Sequence, residues 1–428
     1  MIGNSFDAEP SNTGRTYNYR FKMHEYDSNR HNSIVVIGAG VIGLATATLL
    51  QERVSKRIPI TIVAAELPTD SPATTNKAEA TKNAAPSADY ASVWAGAHYR
   101  PIPYLTTDHA DYDKLSGTER QMHSQLAREH RLTLHTADRM HSLAKTNPQA
   151  GIMIIPAAEF LENPPPENVN LRTGFVYASP NDKFRVYSQT ELDALNAKHI
   201  LSPDSGIVKW ACEYETYVVN PHVYCQHLLH QFNMNGGRLV ERRLEKLSDA
   251  ISIVPGTEQP ILVNCSGIGK FDIPDQKTRI IRGQTVLVRN AFDKTLTRQC
   301  ADGSWSFLIP RPVGGGTIIG GTKQIGDNEA SPRPEERQKL LNDAVQYFPE
   351  FVDAVGKFEV IQDNVGRRPW REGGMRIEVD DDVLGNDATV VHGYGAGGRG
   401  YEMSWGAAAQ ICDLVIKCLP GSTSIAKL

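Results

Sequence analysis

The chain has 428 residues, 40% hydrophobic and 22% charged, with a formal net charge of −4. That length holds two or three domains, or one large α/β enzyme with an appended domain, and enough apolar residues for a sizeable core. No basic run or stripe supports nucleic-acid binding, and six scattered cysteines without a C-x-x-C pair indicate neither a zinc site nor a disulfide framework. They read as reduced thiols of an intracellular protein.

Residues 1–32 are polar and mixed in charge, without the apolar stretch of a secretory signal. They read as an arm outside the fold. The next stretch, SIVVIGAGVIGLATATLLQ from Ser33 to Gln51, organises the rest. Ile34 to Ile37 form a β-branched run expected to be a buried strand. Gly38, Gly40 and Gly43 follow at G-x-G-x-x-G spacing, and Val41 and Ile42 open a helical pattern. Gly38 allows the tight turn, Gly40 lets a pyrophosphate approach, and Gly43 lets the helix pack close to the sheet. N–H groups at the helix start then face the phosphates. A second apolar strand, Ile58 to Val63, ends near Glu66, where a ribose-binding acid belongs. Ser33 to Leu50 carries no charge, but it is barely long enough for a membrane span. Its glycines and threonines make a poor one, so no membrane partner is expected.

Residues 68–90 are rich in Ala, Thr, Ser, Pro and Asn and read as a surface loop. ASVWAGAHYRP, residues 91–101, is either a wall for a flat ring or a buried packing loop. A charged helical pattern covers residues 109–135, and a strand covers Gly151 to Pro156. Short strand-like pieces fill Ser205 to Val219. Pro221 to Asn235 has helical spacing and stops at Gly236-Gly237. ILVNCSGIG, residues 261–269, is a buried strand whose Gly-rich end, with Ser266 and Gly267, borders a ligand crevice. Residues 279–323 are β-rich without intervening helices and predict a separate antiparallel sheet. A helix is expected over Pro334 to Phe348 and a strand over Phe358 to Asn364. Thr389 to His392 forms a last strand, and the Gly393–Gly400 turn leads into a helix from about Met403.

The order of these motifs resembles the D-amino acid oxidase family, which includes D-aspartate oxidase. The matching stretches are VVIGAGVIGL, ASVWAGAHYRP, VNCSGIG, IRGQTVLV, FLIPRP with GGTIIGGTK, GRRPWR and HGYGAGGRGYEMSWGAA, across roughly residues 33–415. The resemblance implies FAD bound non-covalently to a discontinuous Rossmann-like domain, assigned to residues 33–107, 208–275 and 365–418. A substrate domain with a twisted antiparallel sheet is assigned to residues 108–207 and 276–364, and a tail to 419–428.

By resemblance, Gly38, Gly40, Val41, Ile42 and Gly43 hold the pyrophosphate, and Glu66 lies on the adenosine side. Val93, Trp94, Ala95, Gly96 and Ala97 lie beside the flavin, with Ser266 and Gly267 at a strand end nearby. Gly397, Gly398, Arg399, Gly400, Tyr401 and Glu402 bring backbone toward the flavin carbonyl. Arg368 matches the arginine that clamps the substrate carboxylate; without the resemblance it reads as part of a surface cluster with Arg367 and Arg371. Phe307 stands where the family often has a tyrosine, so a hydroxyl contact is lost. Lys323 sits where D-aspartate oxidases carry an arginine and is a candidate partner for a second carboxylate, or else pairs with Asp327. Arg100, Arg399 and His98 are alternatives for that role. No metal ligands are expected.

The implied reaction is oxidation of a D-amino acid by hydride transfer from Cα to flavin N5, without a general base. O2 then reoxidises the flavin to give hydrogen peroxide, and the imino acid hydrolyses to a 2-oxo acid and ammonia. A glycine or sarcosine oxidase and a non-catalytic dinucleotide-binding protein remain the rivals. Ala426-Lys427-Leu428 is a close variant of the Ser-Lys-Leu peroxisomal address, and the resemblance favours a peroxisomal location with its import receptor as partner. A homo-oligomer is compatible with the sequence.

Overall fold

The computed structural model describes residues 33–68, 86–105, 112–169, 175–176, 183–199, 206–269, 271 and 275–420. The N-terminal arm, most of the loop after Pro68 and the Ala426-Lys427-Leu428 tail lie outside them.

Ile34–Ile37 is the central strand of a six-stranded sheet. Ile60–Ala64 pairs with it in parallel on one side and Ile261–Asn264 on the other. Arg238–Glu241 extends the first flank, and Thr389–Tyr394 extends the second. Both faces are covered, which is why these strands are continuous apolar runs and do not alternate. All four residues of Ile34–Ile37 are buried, and each such Ile or Val contributes about 1.5–3 kcal/mol of transfer free energy. Because the order steps to opposite sides from Ile34–Ile37, that strand's C-terminal end is a topological switch point, where ligands bind.

The Val41–Arg53 helix packs over this sheet, and the Gly400–Cys418 helix packs against it. Gly117–Thr146 then lies on Gly400–Cys418 so closely that a Cβ at Gly406 would meet the Leu132 carbonyl oxygen at 2.3 Å. That long helix starts at a capping box formed by Ser116 and Glu119. This box, and not the charged pattern upstream, sets its beginning eight residues beyond the expected one.

The second sheet has nine strands among the described residues. Its spine is the antiparallel pairing of Thr278–Val288 with Val360–Arg371. Three expected boundaries move. Trp210–Val219, grouped with the cofactor lobe, is one continuous strand in this large sheet, paired with Ile152–Leu161. The strand expected to stop at Asn364 runs on to Arg371 and carries GRRPWR across the expected domain border. The Gly117–Thr146 helix, grouped with the substrate lobe, rests on a helix of the cofactor lobe. In each case long-range pairing or packing sets the limit, and local composition carries no trace of it. Among the described residues no helix is long and apolar enough to cross a membrane.

Candidate active site

One cavity of about 1020 Å³ runs from Glu66, past the C-terminal ends of the parallel strands, to the underside of the nine-stranded sheet, which is not purely antiparallel as expected, because Thr295–Gln299 pairs in parallel with Ile152–Leu161. Its first part is made of backbone. Gly38 has φ +108°, and a Cβ there would lie 2.5 Å from the Cys265 carbonyl oxygen. A Cβ at Gly43 would lie 2.0 Å from the Gly38 carbonyl oxygen. Only glycine lets strand, turn and helix close up this tightly. No side chain caps the Val41–Arg53 helix at Gly40. The Val41 N–H donates to Ser92 Oγ at 3.0 Å; Ile42 and Gly43 sit in the first turn, where N–H groups have no intrahelical acceptor. The result is a site for an anion.

Glu66 stands at the far end of the cavity, beside Arg242, Arg243 and Leu244. Its carboxylate accepts from the Ser87 N–H at 2.7 Å and from the Ser87 hydroxyl. Ser266 bonds back to Asn264 Oδ1, and the Gly267 carbonyl accepts from Gly395 N–H at 2.9 Å, tying two strand ends together.

The Val93–Ala97 turn forms one wall. Trp94 Nε1 donates to the Ser87 carbonyl. The buried Arg311 donates to the Ala95 carbonyl at 2.8 Å, and Val93 packs in the interior behind it. Gly96 is pressed by Ile309, whose Cδ1 would lie 2.7 Å from a Cβ there. Ala97 has φ +57°, and its carbonyl accepts from Val219 N–H. Opposite, the Gly397–Glu402 turn starts a second helix whose first residues also line the cavity with no side-chain cap. Gly397 N–H is fixed by the Pro369 carbonyl at 2.8 Å. The Tyr401 hydroxyl donates to the Ser92 carbonyl at 3.0 Å. The side chain of Glu402 accepts from Arg100 N–H and from Arg399, so Arg399 and Glu402 offer the cavity their backbone.

The other end is made of side chains. Arg368 lies opposite Ile281 in the sheet, and its guanidinium sits over Gly283, where a Cβ would come within 2.3 Å of Nη2. Nη1 donates to the Thr322 carbonyl at 3.1 Å. Among the described residues it has no carboxylate partner, and burial pulls its pKa below the usual arginine value. Phe307 packs its ring on Gly320 and Gly321, making a flat apolar wall. Lys323 is exposed at the rim and makes no ion pair among the described residues; Asp327, its expected alternative partner, is bound by Arg333 at 2.8 Å. Arg100 pairs with Glu159 at 2.9 Å and lies over the Trp305 ring. Arg399 is held between Glu129 and Glu402 at 3.0 and 2.9 Å. Burial disfavours its charge, but the two carboxylates outweigh this and raise its pKa. His98 is half-buried on the cavity wall, and desolvation together with Arg100 lowers its pKa to about 3, so it is neutral at ordinary pH. Among the described residues, Arg368 and Lys323 are therefore the cations at this end that no carboxylate compensates.

Ser92, Arg242, Arg243 and Leu244 also line the cavity without a signal of their own in the sequence, and only the fold shows why Gly283 and Thr322 matter: Arg368 lies over the first and donates to the carbonyl of the second. Ser92 and Gly283 lie inside stretches quoted for the resemblance. Arg242 and Arg243 follow a short strand with no motif around them.

A glycine-lined helix start at a switch point and a guanidinium without a carboxylate partner among the described residues are the features of a dinucleotide-binding site that opens onto a second, cationic pocket. The family model described as FAD dependent oxidoreductase matches residues 33–414. The chain is 47% identical over 388 residues to the D-aspartate oxidase of Talaromyces thermophilus, covering 90% of this chain and 95% of that protein. It is 30% identical to a D-amino-acid oxidase of Fusarium vanettenii, covering 90% and 97%. Among solved structures, glycine oxidase from Bacillus cereus ATCC 14579 shares the fold at TM-score 0.58, with 14% identity and coverage of 93% and 100%. The FAD-bound L-alpha-glycerophosphate oxidase of Mycoplasma pneumoniae shares it at TM-score 0.56, with 15% identity and coverage of 91% and 95%. The chain belongs to the FAD-dependent oxidoreductases, in the family that holds the D-amino-acid and D-aspartate oxidases. FAD is its cofactor, and the residues present fit it: the Gly38–Gly43 backbone at the start of the Val41–Arg53 helix would hold the diphosphate, and the Trp94–Ala97 and Gly397–Glu402 turns would flank a flat ring.

Proposed function

We propose that the protein oxidises D-amino acids with O2, releasing a 2-oxo acid, ammonia and hydrogen peroxide, and that acidic substrates, D-aspartate above all, are preferred. The observation that carries this reading is the half-buried Arg368 guanidinium, held by one carbonyl and, among the described residues, by no carboxylate, at the end of the cavity away from Glu66. A guanidinium binds a carboxylate through two parallel bonds and so fixes its plane. Phe307 walls the substrate without offering it a proton donor or acceptor. With carboxylate and side chain placed, only one enantiomer turns its Cα hydrogen toward the cofactor side. His98, neutral well above pH 3, offers no charge, and Glu159 and Glu402 are tied up by Arg100 and Arg399, so among the described residues no unpaired carboxylate stands ready as a base at this end, and the chain works by positioning. Bound FAD supplies the acceptor for the two electrons that leave with the Cα hydrogen. Loss of the amine proton leaves an imino acid, which water hydrolyses.

Lys323 supports the acidic preference as the uncompensated cation on the rim, one residue past the Thr322 carbonyl that holds Arg368. The 47% identical relative bearing the name D-aspartate oxidase supports it independently. A peroxide-coupled screen of D- and L-amino acids with glycine and sarcosine tests the reading. D-Aspartate is expected to lead; activity confined to glycine and sarcosine would overturn it. We also propose that Ala426-Lys427-Leu428 is a peroxisomal address. A cytosolic reporter ending in Ser424–Leu428 is then imported, and a reporter that stays cytosolic refutes it.

A further inference from the structure

Arg282 is 0% exposed, yet it does not point at the cavity. A guanidinium has five N–H donors, and here all five are used. Nε donates to the Glu329 carbonyl at 2.9 Å. Nη1 donates to Gln324 Oε1 at 2.6 Å and to Glu336 Oε2 at 2.8 Å. Nη2 donates to Gln284 Oε1 at 3.0 Å and to the Ser331 carbonyl at 2.8 Å. Three of the five acceptors belong to one segment, between Thr322 and Arg333. Gln284, two residues along the strand, clips the same segment at both ends. It exchanges bonds with Thr322 at 2.7 and 3.1 Å, and with the Arg333 backbone at 2.8 and 2.9 Å. Glu336 closes the cluster by accepting from Gln324.

Burying an arginine is expensive, and a well-packed apolar side chain often stabilises such a place as well or better. What five directional bonds add is a single position for the segment they hold. That segment begins with the carbonyl that orients Arg368 and continues with Lys323.

We propose that Arg282 is a positioning residue for substrate binding: it fixes the Thr322–Arg333 segment so that Arg368 and Lys323 meet the substrate's two carboxylates in one geometry. This rests on the reading of Arg368 as the carboxylate site. The device acts on both cations at once, so its loss weakens monocarboxylate and dicarboxylate ligands alike. It also uncouples Lys323, because a cation on a loose segment no longer selects.

The test uses the FAD-loaded full chain with Arg282→Met, and with the milder Glu336→Gln. In Arg282→Met we expect wild-type flavin content and a kcat within about threefold of wild type. The KM for D-aspartate and the Kd values for acetate and malonate should rise about tenfold, the scale on which small misplacements act. Glu336→Gln should move the same constants less. Adding Lys323→Ala to Arg282→Met should change KM little further, although it raises KM alone. Wild-type KM and malonate affinity in a flavin-loaded Arg282→Met would overturn the proposal. So would a loss of flavin, thermal midpoint and kcat together at unchanged KM, the signature of a residue that only supports the fold. If the wild type binds neither malonate nor D-aspartate, the reading of Arg368 has failed, and trypsin then decides the segment. Faster cleavage after the exposed Lys323 in Arg282→Met than in wild type upholds a fastened segment; equal rates refute it.

Discussion

The two ends of the cavity are built on opposite principles. The phosphate end is backbone: a turn at Gly38 and the start of the Val41–Arg53 helix, at the end of the Ile34–Ile37 strand. The carboxylate end is side chain: Arg368 from one strand, Phe307 from another, Lys323 from a loop, joined because Thr278–Val288 pairs with Val360–Arg371, with Gln324–Ile325 and with Thr317–Gly320, which in turn pairs with the strand of Phe307. A site made of backbone tolerates no added atom. A site made of side chains can lose one member and keep its fold, and so it can be retuned.

The largest effect is therefore expected at the first end. Gly43→Ala places a Cβ 2.0 Å from the Gly38 carbonyl, where backbone cannot yield. The cost exceeds the roughly 1–3 kcal/mol of ordinary overpacking. The purified variant should be colourless and should not recover flavin absorbance on incubation with FAD. At the second end, Arg368→Ala should keep flavin but lose about 2–5 kcal/mol of binding to the substrate carboxylate. That is roughly 30- to 5,000-fold in kcat/KM. Wild-type kinetics in that variant would place the carboxylate partner elsewhere.

The same contrast explains what could be read in the sequence. Ile34 to Gly43 is contiguous, and each residue's task is local: β-branched strand, tight turn, close helix. The cradle was legible from pattern alone. Arg368 was not. Next to Arg367 and Arg371 it looks like a surface cluster, and the structure separates the three: Arg367 pairs with Asp89, Arg371 with Asp275, and Arg368 turns over Gly283 into the cavity. Only resemblance singled it out, because its neighbours come from segments some 46 and 85 residues away. Arg399 was ambiguous for the same reason. Glu129, 270 residues distant, removes it from the pool of available cations.

A third prediction concerns two neutral histidines, half-buried His98 on the cavity wall and buried His130. Burial, with neighbouring arginines, lowers their pKa values to about 3 and about 4. The unfolded chain takes up these protons first, near pH 6.5. Stability therefore falls as pH drops from about 6.5 toward 4 and 3, by up to about 1.4 kcal/mol per pH unit for each histidine. Urea titrations of His98→Gln and His130→Gln should show shallower acid slopes than wild type, with little change above pH 7. Identical slopes would mean that these rings are solvated.

The smallest effect is expected at Lys323. An exposed cation contributes about 0.2–1 kcal/mol, so Lys323→Ala should lower kcat/KM for D-aspartate by at most about fivefold and leave D-alanine unchanged. Equal losses on both substrates would remove Lys323 from selectivity.

The most direct measurement is an anaerobic titration of the FAD-loaded protein, following the oxidised flavin band at about 450 nm. We expect D-aspartate to bleach the band at lower concentration than D-alanine, and L-aspartate to leave it unchanged. Bleaching by L-aspartate, or no bleaching by any D-amino acid while flavin stays bound, would contradict a site in which Arg368 holds the carboxylate of a D-amino acid.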